Sequence, residues 1–224
     1  MTVHAVLFDL DGTLVDSERQ YSEALARALR AGQAVEITQA DRDYCVGRSW
    51  VAIHERLAGL YPVMTWTRDE LIAETAQASR DLFAEKGVAE LPGARAAVSR
   101  FADRPRGLVT GSSRAEAGHM LTLLGLADAF AVRLCAEDVP RSKPAPDGYR
   151  MACERLGLAP ARVLVIEDSA SGVAAGRAAG CVVVAVRAGT FAGHDQSGAP
   201  RVIDTLDDLT PELAVAVAEA AAAG

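Results

Sequence analysis

Two carboxylates spaced i, i+2 close a short apolar run near the start of the chain, in Phe8-Asp9-Leu10-Asp11-Gly12-Thr13. In extended backbone, residues two apart point the same way, so Asp9 and Asp11 would face one space just beyond the end of a strand. Like charges so close repel and call for a compensating cation, Mg²⁺ first among them. Gly12 permits the sharp turn that follows, since no Cβ blocks a positive φ. Three later stretches also carry chemistry. Thr110-Gly111-Ser112-Ser113-Arg114 puts hydroxyls and backbone N–H groups where a helix begins. Such a place can hold an anion such as phosphate, although Ser and Thr there also serve simply as caps. Lys143 lies in Arg141-Ser142-Lys143-Pro144-Ala145-Pro146-Asp147, where prolines are expected to hold the backbone extended and aim the ammonium. Glu167-Asp168-Ser169 ends the most apolar run of the chain, where solvation is limited and a metal would relieve the repulsion between acids.

The elements that must position these groups follow from the apolar pattern. Val3 to Phe8 is too short for a helix and rich in β-branched and aromatic residues, so it reads as a strand buried on both faces. Ser17 can cap a helix from about Glu18 to Ala31, with Tyr21, Leu25 and Leu29 on one face and Gly32 as its stop. Residues 33–90 continue with helical periodicity and no convincing strand. Val51–Leu60 and Arg68–Lys86, the latter ended by Gly87, are the helix candidates there. A helical block between the first and second strands predicts a separate cap over 16–90, with hinges near Asp16 and Leu91-Pro92-Gly93, and a core formed by 1–15 and 91–224. Alternation then resumes: a helix over Gly93–Phe101, the strand Gly107–Thr110, a helix over Ala115–Leu124, the strand Val132–Cys135, and a helix over Asp147–Leu156. The strand Val163–Glu167, a helix over Ser171–Ala179 and the strand Val182–Val186 follow. A Gly-rich loop from Ala188 to Pro200, a short strand at Val202-Ile203 and an Ala-rich helix complete the chain. This order predicts an α/β fold: a Rossmann-like parallel sheet with helices on both faces, plus the inserted helical cap. Gly172, Gly176 and Gly180 recur every four residues, a face that lets their helix lie close on the sheet or on the loop of Asp9.

Composition narrows the function classes. The chain has 224 residues, half of them hydrophobic and 5% aromatic, which fits an Ala/Leu/Val-rich α/β protein. A net charge of −7 without a basic run argues against nucleic acid and anionic membranes as partners. Asp9 cuts the first apolar run and no basic region precedes it, which argues against a secretory signal, and no stretch reaches membrane-spanning length. Cys45, Cys135, Cys153 and Cys181 lack any C-x-x-C spacing, so they read as buried thiols in a reducing cytoplasm.

Acids, hydroxyl, ammonium and acids thus stand at successive strand ends in one order. In this the chain resembles the haloacid dehalogenase-like hydrolase superfamily, through Asp9-Leu10-Asp11-Gly12-Thr13, Thr110, Lys143-Pro144 and Glu167-Asp168, over nearly its full length. Within it, the chain looks most like the helical-cap branch that contains β-phosphoglucomutase and many small-metabolite phosphatases. The resemblance implies that Asp9 is a nucleophile forming an aspartyl-phosphate and that Asp11 is the general acid and base. It implies Mg²⁺ on Asp9, Asp168 and the backbone carbonyl of Asp11, with Glu167 ligating through water or supporting from behind. Thr110 and Lys143, with Gly111 and Ser112 beside them, would hold the phosphoryl oxygens. The dehalogenases of the superfamily lack the second acid, so Asp11 argues for phosphoryl transfer.

The resemblance extends to Cys45-Val46-Gly47-Arg48-Ser49-Trp50 as the specificity loop of a cap that closes over the substrate, with Arg48 a ligand for phosphate or carboxylate or else simply solvated. His54 reads as structural or exposed. Tyr21 and Trp50 stand where β-phosphoglucomutase aligns a histidine and a phosphate-binding arginine. Hydrolysis needs neither, so a cytoplasmic Mg²⁺-dependent phosphatase of a small phosphorylated metabolite is expected, as a monomer or small homo-oligomer. A sugar-phosphate mutase is the alternative. A phosphoacceptor signalling module is a third reading, opposed by the helical insert and by Asp11. A dinucleotide binder is opposed by the missing G-x-G-x-x-G.

Overall fold

The computed structural model describes residues 2–46, 48–189 and 195–223. Gly47 of the expected specificity loop and 190–194 of the Gly-rich loop lie outside them. In chain order the elements are β1 (Ala5–Phe8), α1 (Ser17–Gln33), α2 (Gln39–Cys45), α3 (Trp50–Leu60), α4 (Arg68–Lys86), α5 (Ala94–Arg100), β2 (Arg106–Val109) and α6 (Arg114–Leu123). They continue with β3 (Val132–Leu134), α7 (Asp147–Leu156), β4 (Val163–Glu167), α8 (Ala170–Ala179), β5 (Val182–Val186), β6 (Arg201–Ile203) and α9 (Pro211–Ala223). Contacts cluster in two units, 1–16 with 90–224, and Ser17–Ala89.

The first unit is an α/β fold built on a six-stranded parallel sheet in the order β3-β2-β1-β4-β5-β6. β1 is central because all four of its residues are apolar and fully buried, and only a strand flanked on both sides and covered on both faces satisfies that pattern. Ala5, Leu7, Val163, Val165, Val183 and Ala185 face a core shared with Tyr149 and Cys153 of α7 and Val173 and Ala175 of α8. The alternate set, Val6, Phe8, Leu164, Ile166 and Val184, is equally buried, and Phe8 meets Phe130 edge to face. Helical cover on both faces follows.

Register decides where the chemistry collects. Phe8 pairs with Leu108 on one side and Ile166 on the other, and Val109 pairs with Leu134. The residues after β1, β2, β3 and β4 therefore leave the sheet at one edge, beside the point where successive connections change direction. The chain leaves and re-enters this unit side by side: Val15 bridges Glu90, and the Leu91 N–H donates to the Leu14 carbonyl at 3.0 Å.

The second unit, Ser17–Ala89, is helical. Leu25, Leu29, Ile53, Leu57 and Leu71 share one buried cluster, and Tyr21 packs edge-on against Phe83. Two features differ from expectation. Gly32 does not stop α1, which runs on to Gln33; a Cβ at 32 would overlap the Trp66 indole, so the glycine makes room for that ring. The left-handed residue past the helix end is Ala34, at φ 51°. The short helix α2 was not singled out in the sequence, although its Thr38-x-x-Asp41 capping box announces it. His54 is structural: its Nε2 lies 2.9 Å from the Trp66 carbonyl. Among the described residues no helix is long and apolar enough to cross a membrane.

Asp41 ties this unit together. Its buried carboxylate accepts from Thr38 Oγ1 (2.6 Å), Tyr61 OH (2.6 Å) and Arg56 (3.1 Å). The Thr38 and Tyr61 hydroxyls, working against burial, hold its pKa down to about 2 from an ordinary 3.8. A depressed folded-state pKa means stability that is present above the unfolded value and lost as pH falls from about 4 toward 2. Asp41→Asn is therefore expected to destabilise the protein on the order of 1–2 kcal/mol at neutral pH. Thermal unfolding of both proteins at neutral pH and near pH 2 checks this; a gap that does not narrow in acid contradicts it.

Candidate active site

Asp9 follows β1 directly, with its N–H on the Ile166 carbonyl at 3.0 Å. The chain then turns within a few residues, the Gly12 N–H donating to Val15 (2.8 Å) and the Leu14 N–H to Leu10 (2.8 Å). Gly12 takes φ +79°, and a Cβ there would also overlap the Asp168 carboxylate. The position thus demands glycine twice, for backbone conformation and for space. Thr13 Oγ1 reaches toward Asp168 Oδ1 at 3.4 Å.

The two acids of this turn have different partners. Asp9 Oδ1 receives the Lys143 ammonium at 2.5 Å. Asp11 Oδ2 instead receives Ser112 Oγ at 2.5 Å and Thr110 Oγ1 at 3.2 Å. The hydroxyls after β2 are thus gathered on Asp11. The amides expected to be free at the start of α6 are occupied: Ser112 N–H by Thr110 Oγ1, Ser113 N–H by Glu116, and Arg114 N–H by Glu137. Side chains nearby in sequence reach the first two donors, and Glu137, 23 residues on, takes the third. Gly111 is exposed, with nothing within 4 Å of where a Cβ would stand.

Lys143 reaches the site from a turn, not from extended chain, and its peptide bond to Pro144 is cis. Its ammonium has three acceptors: Asp9 Oδ1, the Val109 carbonyl at 3.0 Å and Glu167 Oε1 at 2.6 Å. Burial opposes its charge, but the carboxylates of Asp9 and Glu167 outweigh burial and hold its pKa above the ordinary lysine value. Asp9 is raised well above a normal carboxyl, chiefly by burial, with Lys143 pulling the other way and Glu167 and Asp168 adding to the rise. Burial and then Glu167 push Asp168 up to about 7.

Oxygens of Asp9, Glu167 and Asp168 lie within 4.8 Å of one another, all buried. Three carboxylates against one ammonium leave two negative charges when all are ionised, and that repulsion adds to the burial that chiefly raises Asp9 and Asp168. A hard divalent cation bound by oxygen fits both the donor set and the charge. The Asp11 side chain is not part of this cluster. Arg48 belongs to the helical unit; it is exposed there and stacks over the Tyr44 ring at 4.3 Å.

Sequence reading passed over several groups that hold the site. Tyr149 OH donates to Glu167 Oε1 at 2.7 Å. Gln196 Nε2 donates to the backbone carbonyls of Asp168 (2.5 Å) and Val186 (2.7 Å). Nothing in the pattern marks Gln196. Tyr149 carried a signal, a lone aromatic in the first turn of the helix that follows Lys143. The glycines of α8 divide their work: Gly172 backs onto the Glu167 carboxylate, a Cβ at Gly176 would meet Val183 at 2.9 Å, and Gly180 ends the helix at φ +86°.

Comparisons with known proteins show what the chain is similar to. Hexitol phosphatase A of Escherichia coli K12 is 36% identical over 203 residues, spanning 84% of this chain and 85% of that protein. Validoxylamine A 7'-phosphate phosphatase of Streptomyces hygroscopicus subsp. limoneus is 32% identical over 206 residues, spanning 91% and 93%. The solved structure of a conserved haloacid dehalogenase-like protein from Agrobacterium tumefaciens superposes with a TM-score of 0.78 at 29% identity, over 96% of this chain and 99% of that one. Residues 3–180, from the strand that carries Asp9 to the helix behind Glu167, match the family model as a whole, and the chain belongs to the haloacid dehalogenase-like hydrolases.

Proposed function

We propose that this enzyme is a Mg²⁺-dependent phosphatase, acting in the cytoplasm on a small phosphorylated metabolite such as a sugar phosphate. The observation that carries the reading is the buried Asp9–Lys143 pair beside Glu167 and Asp168, with Asp11 held by Thr110 and Ser112 a short step along the same turn. Two relatives named as phosphatases support the activity.

In this reading a carboxylate oxygen of Asp9 attacks phosphorus, forming a P–O bond while the bond to the substrate's alcohol oxygen breaks. The leaving oxygen takes a proton from the Asp11 carboxyl, which then receives one from the water that hydrolyses the aspartyl-phosphate, releasing phosphate and restoring Asp9. Thr110 and Ser112 orient Asp11 for both transfers. Lys143 neutralises phosphoryl oxygens as charge builds on them. Mg²⁺, held by Asp9, Asp168 and the Asp11 carbonyl, would supply further positive charge at those oxygens. Asp9 and Asp168 must be deprotonated to hold it, and the charge of a bound cation would offset the burial and carboxylate repulsion that oppose that loss.

Phosphate release from sugar phosphates, nucleotides and phosphoglycolate, with Mg²⁺ and with a chelator, tests the proposal. Mg²⁺-dependent release concentrated on one substrate class is the expected result. No release, together with interconversion of a sugar 1-phosphate and its 6-phosphate once a bisphosphate primer is added, overturns it in favour of a mutase.

A further inference from the structure

Glu167 is fully buried and saturated. Its Oε1 accepts from Tyr149 OH (2.7 Å) and Lys143 Nζ (2.6 Å). Its Oε2 accepts from the N–H groups of Asp168 (3.1 Å) and Ser169 (3.3 Å) and from Ser169 Oγ (3.1 Å). Five donors meet a carboxylate that offers about four lone-pair sites. The acid therefore works as the fixed end of a brace. The other end is Lys143, strung between Glu167 Oε1 and Asp9 Oδ1.

Tyr149 touches that brace twice. Its hydroxyl shares the oxygen that Lys143 uses, and its ring lies 5.4 Å from the Lys143 ammonium, within reach of a cation–π contact. The residue belongs to one buried apolar cluster with Leu7, Val109 and Val165, a role that phenylalanine would fill without the cost of burying a hydroxyl. We propose that Tyr149 is a positioning residue: by holding Glu167 Oε1 it fixes the lysine ammonium against Asp9. The proposal rests on the phosphatase reading only in what Lys143 does there. A lysine that drifts from its place weakens charge stabilisation in the transition state more than it weakens substrate binding.

The chain has two lysines, Lys86 and Lys143, so ¹⁵N-lysine labelling yields a simple spectrum. Lys86 is half-exposed and serves as the internal reference. In the wild-type full-length protein, Lys143 is expected to give a slowly exchanging ammonium resonance. In Tyr149→Phe that resonance should broaden or exchange about tenfold faster while Lys86 is unchanged, and kcat on p-nitrophenyl phosphate with Mg²⁺ should fall roughly tenfold with KM within about twofold. An unchanged resonance with unchanged kcat in the folded variant overturns the proposal. Replacing Tyr149 with 3-fluorotyrosine keeps the donor and strengthens it. This variant should shift the Lys143 resonance, and an unmoved resonance overturns the proposal even if the phenylalanine variant does not fold. A wild-type protein that releases no phosphate from any monoester, yet whose Lys143 resonance responds to Tyr149, defeats the phosphatase reading and upholds the positioning role.

Discussion

Asp9→Asn is expected to lower kcat on any phosphate monoester by roughly 10⁴-fold or more while leaving the fold intact. The amide oxygen cannot supply the electron pair that forms the bond to phosphorus, so the loss falls on the chemical step. The fold survives because asparagine has the same shape and its side-chain carbonyl can still accept from Lys143, which stands 2.5 Å from Asp9 Oδ1. Three measurements separate the possibilities: phosphate release under saturating Mg²⁺, the circular dichroism spectrum, and capture of ³²P on the denatured protein after rapid quenching. The wild type should carry label and the variant none. Residual activity above about one per cent in folded Asp9→Asn would remove Asp9 as the nucleophile.

Gly172→Ala is expected to damage stability and turnover together. The residue is buried in the first turn of α8, where alanine is ordinarily the better helix former. Here an added Cβ would overlap the Glu167 carboxylate. That side chain cannot swing aside, being fully buried and held by Tyr149, Lys143, Ser169 and two amides. Either the helix backs away from the sheet or the carboxylate moves and takes Lys143 with it. Overpacking of this kind costs about 2–3 kcal/mol, or roughly 5–10 °C in melting temperature. A displacement of the lysine on the ångström scale would lower kcat by roughly 10²-fold. Calorimetry and steady-state kinetics on the same preparation check both. Stabilisation by the alanine, as helix propensity alone predicts, would show that the close approach of α8 is not required.

Much of the fold was legible because strands and helices are written locally. Four buried apolar residues before Asp9, four before Glu167 and five in β5 have the composition of interior parallel strands. Glycine at 87 and 180 marks helix ends. Local reading failed where a glycine answers to a distant side chain. Gly32 carries the signature of a helix stop, yet the α1 backbone runs past it, because the determining neighbour is Trp66, far along the chain. The hydroxyls of Thr110 and Ser112, which carry the pattern of an anion-binding helix start, both donate to Asp11, a partner that no local pattern names.

What the sequence determined by itself was which groups stand at strand ends and in what order: acids after β1, hydroxyls after β2, a lysine in the loop after β3, acids after β4. The periods of strand and helix, and the turn residues that close them, fix those places within a few positions. Only the tertiary structure decided which of these groups share a proton or a charge. Lys143 and Asp9 are 134 residues apart, and Ser112 and Asp11 are 101 apart. Their meeting depends on the strand order β3-β2-β1-β4 and on the register that sets Phe8 level with Leu108 and Ile166. Hydrogen bonds act over about 3 Å, so a partner at that distance is decided by how the sheet assembles.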